Sequence, residues 1–323
     1  MADYPGLQDM ARARDAIGGA IVETPVCRWD SPEITDAVPS GTDVILKLEL
    51  FQKTGTFKPR GAIVNALRLD DAQRQRGITA VSAGNHAIAA AYAAQTVGAS
   101  AKVVMLKSAS AIRREKCESY GAEVVLAKDV HAAFELAEQI EREEGRTFIH
   151  PFEGEGVALG TGTLGLEFQR QASLDAVIIP IGGGGLCAGV AAALKQLNPD
   201  IAVYGVEPEG ANSMSLSFAR GEPARIDAVR SIADSLGAPF AMPYSYGVCR
   251  RFVDDIVLVD DDALRDAMRR LFTGMKLAVE PAGAAATAAL IGPLRDRLAG
   301  QRVGLIVCGS NIGIADYAGI VGR

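Results

Sequence analysis

The sequence predicts an α/β fold of two parallel-sheet domains, the smaller inserted in the larger. Three observations carry this. Short β-branched runs alternate with longer helical patterns along almost all of the 323 residues, which is how parallel strands come to be covered by helices on both faces. Between about residues 78 and 147 the alternation closes on itself, with enough strands and helices for a compact unit of its own. Finally, the apolar run 176–181 leads straight into Gly182, Gly183, Gly184 and Gly185 and then into a helical pattern.

The elements follow in order. A helix over 7–17 comes first, and 44–48 (Val-Ile-Leu-Lys-Leu) has the apolar, β-branched content of a strand. A helix is expected at 61–69. The short strand 79–81 opens into an Ala-rich helix at 85–97, with Gly98 just beyond it. Strands at 101–106 and 123–126 flank a helix at 109–120, and a helix at 130–144, heavily charged from 134 onward, closes the inserted unit. Strand 176–181, helix 187–197, strand 202–206 and strand 302–308 complete the larger one. No fixed-period repeat or low-complexity segment stands out.

Composition excludes several classes. Hydrophobic residues make up 49% and charged residues 22% of the chain, with a net charge of −6 and scattered Lys and Arg. No nucleic-acid or anionic-membrane partner is expected. Cys27, Cys117, Cys187, Cys249 and Cys308 are odd in number and widely spaced, so reduced thiols in a cytoplasmic protein are expected. His86, His131 and His150 form no zinc signature. The segment 1–15 lacks an apolar signal core, and no uninterrupted run of about 20 apolar residues suggests a membrane span.

The glycine run is the first motif with chemistry. A strand–glycine–helix junction aims several backbone N–H groups at one point, and the helix start adds roughly half a positive charge. Glycines let an anion approach without Cβ atoms in the way. A tight turn alone is the simpler account, but four consecutive glycines cost much conformational entropy for a turn. Gly183-Gly184-Gly185-Leu186-Cys187-Ala188 also fits the G-x-G-x-x-A dinucleotide fingerprint, with Glu207 about 20 residues on. That reading, a nicotinamide-dependent oxidoreductase, leaves the other motifs unused.

Those motifs surround Lys58, which stands between Phe57 and Pro59 with Gly55 and Gly61 nearby. This is poor composition for a solvated helix face. It suits a lysine held near a flat cofactor and stripped of water. To attack an aldehyde the amine must be neutral, so its pKa should fall from about 10.4. Phe57 and Pro59 are expected to supply apolar surroundings and Arg60 a nearby positive charge. Ser82-Ala83-Gly84-Asn85-His86-Ala87 opens a helix, where it serves equally as an N-cap and as an anion site. Cys308 ends the apolar strand 303–307, where a small core residue is the ordinary expectation.

Taken together, Thr56-Phe57-Lys58-Pro59-Arg60-Gly61-Ala62, the Ser82–Ala87 motif and the glycine run resemble the serine/threonine dehydratase family of pyridoxal 5'-phosphate enzymes. The resemblance runs from Thr24-Pro25 to Asn311. It implies the tryptophan synthase β-like architecture (fold type II), with a large cofactor domain from 1–76 and 149–323, a small mobile domain at 77–148, and the site between them. It implies that Lys58 carries the cofactor as a Schiff base and then acts as catalytic base. Phe57, Asn85, Gly182, Gly183, Gly184, Gly185, Leu186 and Cys308 would bind the cofactor, Asn85 at the ring oxygen and Cys308 at the pyridine nitrogen. Ser82, Ala83, Gly84, Asn85 and His86 would bind the substrate carboxylate. A thiol at position 308 cannot hold the ring nitrogen protonated as a carboxylate would, which favours elimination over transamination.

Departures from the family pattern narrow the reading. Ala83 replaces the serine that serine racemases use as a second acid–base group, so elimination from an L-amino acid is expected and racemisation is the alternative. Glu207, Ala211 and Ser213 match a divalent-cation site of some members. Ser213 replaces an aspartate there, which weakens a site for a hard cation, whether divalent or monovalent. Thr161, in Gly160-Thr161-Gly162-Thr163, either touches substrate or packs. Changes at Ser235 and through 239 suggest a β-hydroxy amino acid other than plain serine or threonine, such as 3-hydroxyaspartate or a phenylserine. Glu280, in Glu280-Pro281-Ala282-Gly283, either lies near the site or caps the following helix. The family implies a homodimer, and with so short a stretch after Cys308 no C-terminal regulatory domain is expected. The expected product is a 2-oxo acid with ammonia.

Overall fold

A computed structural model describes residues 4–82, 84–107 and 109–322. Its ten strands are β1 (Val26–Trp29), β2 (Asp43–Lys47), β3 (Ile78–Val81), β4 (Ala101–Leu106), β5 (Glu123–Ala127), β6 (Thr147–Phe148), β7 (Ala176–Pro180), β8 (Ala202–Pro208), β9 (Asp255–Val259) and β10 (Arg302–Ile306). They form a six-stranded sheet in the order β1-β2-β10-β7-β8-β9 and a four-stranded sheet in the order β5-β4-β3-β6. All pairings are parallel except β1 with β2, where Val26 faces Lys47 and Trp29 faces Val44. The four-stranded sheet is drawn entirely from 78–148, and the larger sheet from either side of it.

Each strand expected from the sequence is present, and the helices at 7–17, 59–67, 85–96, 111–119, 130–144 and 185–197 fall within two residues of expectation. The helix Glu155–Gln171 was not expected. Its glycines have poor helix propensity, yet they let helices approach closely. A Cβ on Gly160 would overlap the Arg60 carbonyl, and one on Gly165 would sit 2.7 Å from Ala193. Tertiary packing against the helices Pro59–Leu67 and Gly185–Leu197 therefore decides this element. One large core lies around the six-stranded sheet, and two smaller ones cover the faces of the four-stranded sheet.

Ligands of open parallel sheets collect beyond the carboxyl ends of the strands. Here the ends of both sheets converge. Val81 of β3, Leu106 of β4, Pro180 of β7 and Cys308, just past β10, all line one cavity of about 250 Å³.

Candidate active site

Lys58 is placed by strand pairing rather than by its own helix. Thr56 bridges to Gly309 in antiparallel fashion, the Phe57 N–H donates to the Cys308 carbonyl at 3.2 Å, and the Ser310 N–H donates to the Gly55 carbonyl at 3.0 Å. Lys58 then sits just before the helix Pro59–Leu67, with its side chain in the cavity. Its Nζ donates to the Pro151 carbonyl at 2.7 Å and lies 5.1 Å from the centre of the Phe57 ring. Loss of hydration lowers its pKa to about 8, against the opposing pull of Cys308 and Glu280.

Arg60 does not supply the positive charge expected of it. Its buried guanidinium donates to both oxygens of Glu49 (2.8 and 2.9 Å) and of Glu167 (2.8 and 2.7 Å). Lys47 reaches the same Glu167 at 3.1 Å. Arg14 also approaches Glu167, at 3.4 Å, and the buried guanidinium of Arg60 is paired with carboxylates because an unpaired charge there would cost several kcal/mol of desolvation. Enclosure, not Arg60, activates Lys58.

Gly182, Gly183, Gly184, Gly185 and Leu186 form the opposite floor of the cavity. Gly184 has φ +93°, which disfavours any side chain, and a Cβ on Gly183 would fall inside the Phe152 ring. A Cβ on Gly185 would lie 2.5 Å from the Phe152 carbonyl. No side chain caps the helix Gly185–Leu197, so its first N–H groups are left for an anion. Thr161 settles into packing: it is buried, and its hydroxyl donates to the Gly185 carbonyl at 2.8 Å.

The Ser82–His86 segment faces this floor from the smaller sheet. Ser82 accepts the Gly84 N–H at 3.1 Å, and no side chain caps the helix Asn85–Thr96. Ala83 lies outside the described residues. Asn85 donates to Ser235 (3.1 Å) and Glu280 (2.6 Å) and accepts from Asn311 (2.8 Å). The His86 Nε2 meets the Ile149 carbonyl at 2.7 Å, and burial lowers its pKa to about 3, with Lys58 adding to the effect. His86 is thus a neutral wall of the cavity.

Glu280 is a site residue rather than a cap. It precedes the helix Pro281–Ile291 but makes no side-chain capping bond. Its buried carboxyl points to Asn85, and burial raises its pKa to about 7, only partly offset by Arg113. Arg113 went unnoticed in the sequence. From the helix Ala111–Ser119 it donates to Asp234 at 2.5 Å and to the Asn311 carbonyl at 3.0 Å, with Glu280 3.6 Å away. Lys116, one turn on, donates to Asn311 at 2.8 Å and to the Thr54 carbonyl at 3.0 Å. These two cations latch the smaller sheet's unit onto the larger.

Glu207 lies away from this chemistry. Its buried carboxylate accepts the N–H groups of Met214 (2.9 Å) and Ser215 (2.7 Å), and so caps the helix Ser213–Arg220. Glu207 is fully buried under that helix, out of reach of a dinucleotide ribose, and the oxidoreductase reading loses its acidic partner. Ala211 and Ser213 are buried beside it. Among the described residues no group of three or more His, Cys, Asp or Glu side chains converges on a metal position.

The residues fit pyridoxal phosphate. An amine of lowered pKa, an uncapped glycine-walled helix start that admits no Cβ, and the Cys308 thiol surround one cavity. Burial holds Cys308 well above the ordinary thiol range, so it presents a neutral S–H.

The family described as pyridoxal-phosphate dependent enzyme matches residues 17–309. The chain is 54% identical over 315 residues to the phenylserine dehydratase of Ralstonia pickettii, covering 97% of this chain and 95% of that protein. It is 36% identical over 277 residues to the L-threonine ammonia-lyase of Thermotoga maritima, covering 85% and 69%. Among solved structures, maize serine racemase superposes with a TM-score of 0.91 at 33% identity, covering 97% of this chain and 95% of that one. The T.th. threonine deaminase gives 0.89 at 37%, covering 96% and 99%. The chain belongs to the pyridoxal-phosphate-dependent enzyme family, with the fold type II architecture. Within it the protein is a lyase, a dehydratase of β-hydroxy amino acids that yields a 2-oxo acid and ammonia.

Proposed function

We propose that the substrate is a phenylserine, converted to phenylpyruvate and ammonia. The observation that carries this is the uncharged cavity wall formed by Val81, Val104, Leu106, Ala133 and Phe134. A phenyl ring suits such a wall, and the likeness to phenylserine dehydratase supports it. A 3-hydroxyaspartate would need a free cation there, and Arg113 is already tied to Asp234 and Glu280.

When bound, pyridoxal phosphate supplies the electron sink that makes an amino acid's α-proton acidic. Lys58 would hold the cofactor, and its Nζ would take that proton. The N–H groups of Gly182, Gly183, Gly184, Gly185 and Leu186 would hold the phosphate. Phe57 would flank the cofactor, Asn85 would donate to it in place of one of its present acceptors, and Cys308 would offer it a neutral thiol. Ser82, Gly84, Asn85 and His86 receive the substrate carboxylate at their helix start, beside Ser235 and Glu280. The domains divide at 1–76 with 149–323 and at 77–148, and the smaller one shields the reaction from water. The protein works as a cytoplasmic homodimer; exposed Ile112, Phe272 and Ile314 support a dimer face. No helix among the described residues is long and apolar enough to cross a membrane.

The test is turnover by the yellow, borohydride-sensitive enzyme over phenylserine, threonine, serine and 3-hydroxyaspartate. Phenylserine should give the highest kcat/KM. A tenfold preference for serine or 3-hydroxyaspartate would overturn the assignment.

A further inference from the structure

We infer that Phe134 is the residue that selects an aromatic β-substituent; this rests on the phenylserine reading above. The helix Val130–Glu144 packs Ala133, Ala137 and Ile140 into a small core against the four-stranded sheet. Phe134 follows Ala133, about 100° further round the helix, and is absent from the side chains packed in that core. It is half-buried and lines the cavity instead. Burial of a phenylalanine ring is favourable, so one left out of its own core and turned to a cavity is incomplete until a ligand covers it.

The other aromatic rings of the cavity already have partners. Phe57 faces the Lys58 amine, Phe152 meets His150 at 4.7 Å and Phe240 at 6.2 Å, and Phe240 carries Arg225 at 5.1 Å. Phe134 has no ring or cation partner among the described residues. Its cavity neighbours Val81, Val104, Leu106 and Ala133 are apolar, whereas Lys58, Arg113, Asp234 and Glu280 supply the charged lining. An aryl group placed against Phe134 and these side chains would bury apolar surface on both partners.

The experiment compares wild type, Phe134→Ala and Phe134→Leu as cofactor-loaded enzymes. kcat/KM is measured for phenylserine and threonine. Binding of L-phenylalanine and L-alanine, which lack a β-hydroxyl, is followed by cofactor absorbance. Phe134→Ala should lower the phenylserine-to-threonine ratio about tenfold or more, with Phe134→Leu intermediate, and should weaken phenylalanine relative to alanine by a similar factor. If Phe134→Ala does not fold, Phe134→Leu carries the test. Ratios within twofold of wild type in the folded variants would overturn the role of Phe134. A wild type that does not favour phenylserine over threonine would instead defeat the substrate reading. The phenylalanine-to-alanine binding ratio would still report on Phe134.

Discussion

On the six-stranded side of the cleft, Gly183 has no room for a Cβ, Cys308 is 3% exposed, and Lys58 is fixed through an antiparallel bridge to Gly309. On the four-stranded side, Phe134 stands outside its own core, while Ala89 and Ala93 pack into the larger core and Arg113 and Lys116 add polar contacts across. The first wall is over-determined, and the second leaves Phe134 outside any core. Cofactor chemistry needs fixed geometry, and substrate choice needs a wall that can close on different side chains. The difference separates what the enzyme does from what it does it to.

The comparison can be broken by changing each wall alone. Lys58→Ala should show the largest effect, a loss of about 10³-fold or more in kcat with the fold intact by circular dichroism; retention of a tenth of the activity would remove Lys58 from the chemistry. Gly183→Ala forces a methyl into the Phe152 ring, at a cost of about 1–3 kcal/mol, so cofactor titration should show affinity about 10–100-fold weaker and an unchanged substrate ranking. A shifted ranking with normal cofactor affinity would reverse the assignment of walls.

Protonation sharpens the same wall. Lys58 has its pKa lowered to about 8, so its amine carries a proton below that pH and is neutral above it. Cofactor capture by the apoprotein should accelerate about tenfold between pH 7 and 9, read from absorbance growth. A flat profile would mean that another step limits capture. The smallest effect belongs to the latch. Asp234 is half-exposed, so its pairing with Arg113 is worth only about 1 kcal/mol. Arg113→Ala should raise KM about fivefold and leave cofactor affinity unchanged; a loss of cofactor instead would make Arg113 part of the rigid wall.

Much of the rigid wall was legible from local chemistry. The glycine run and Lys58 between an aromatic residue and a proline each carry their reason within a few residues. On the other wall only Asn85, at a helix start, is as legible. Phe134 reads as one more position on a charged amphipathic helix, and Arg113 as an ordinary helical cation. Arg60 shows the limit of adjacency: two residues from Lys58, it turns away to Glu49 and Glu167. Glu280 was open between capping and the site, because its backbone suits a cap while its carboxyl reaches Asn85, 195 positions away in the chain.

The sequence by itself determined the alternating α/β pattern, the anion-binding junction and the lysine motif, because periodicity, glycine content and helix starts act over short stretches of chain. Tertiary structure decided that Glu155–Gln171 is helical, that Arg60 is neutralised, that Glu207 caps a helix, and that Phe134 faces the same cavity as Lys58. Those outcomes depend on burial and on partners distant in sequence, which only the packed chain brings within reach.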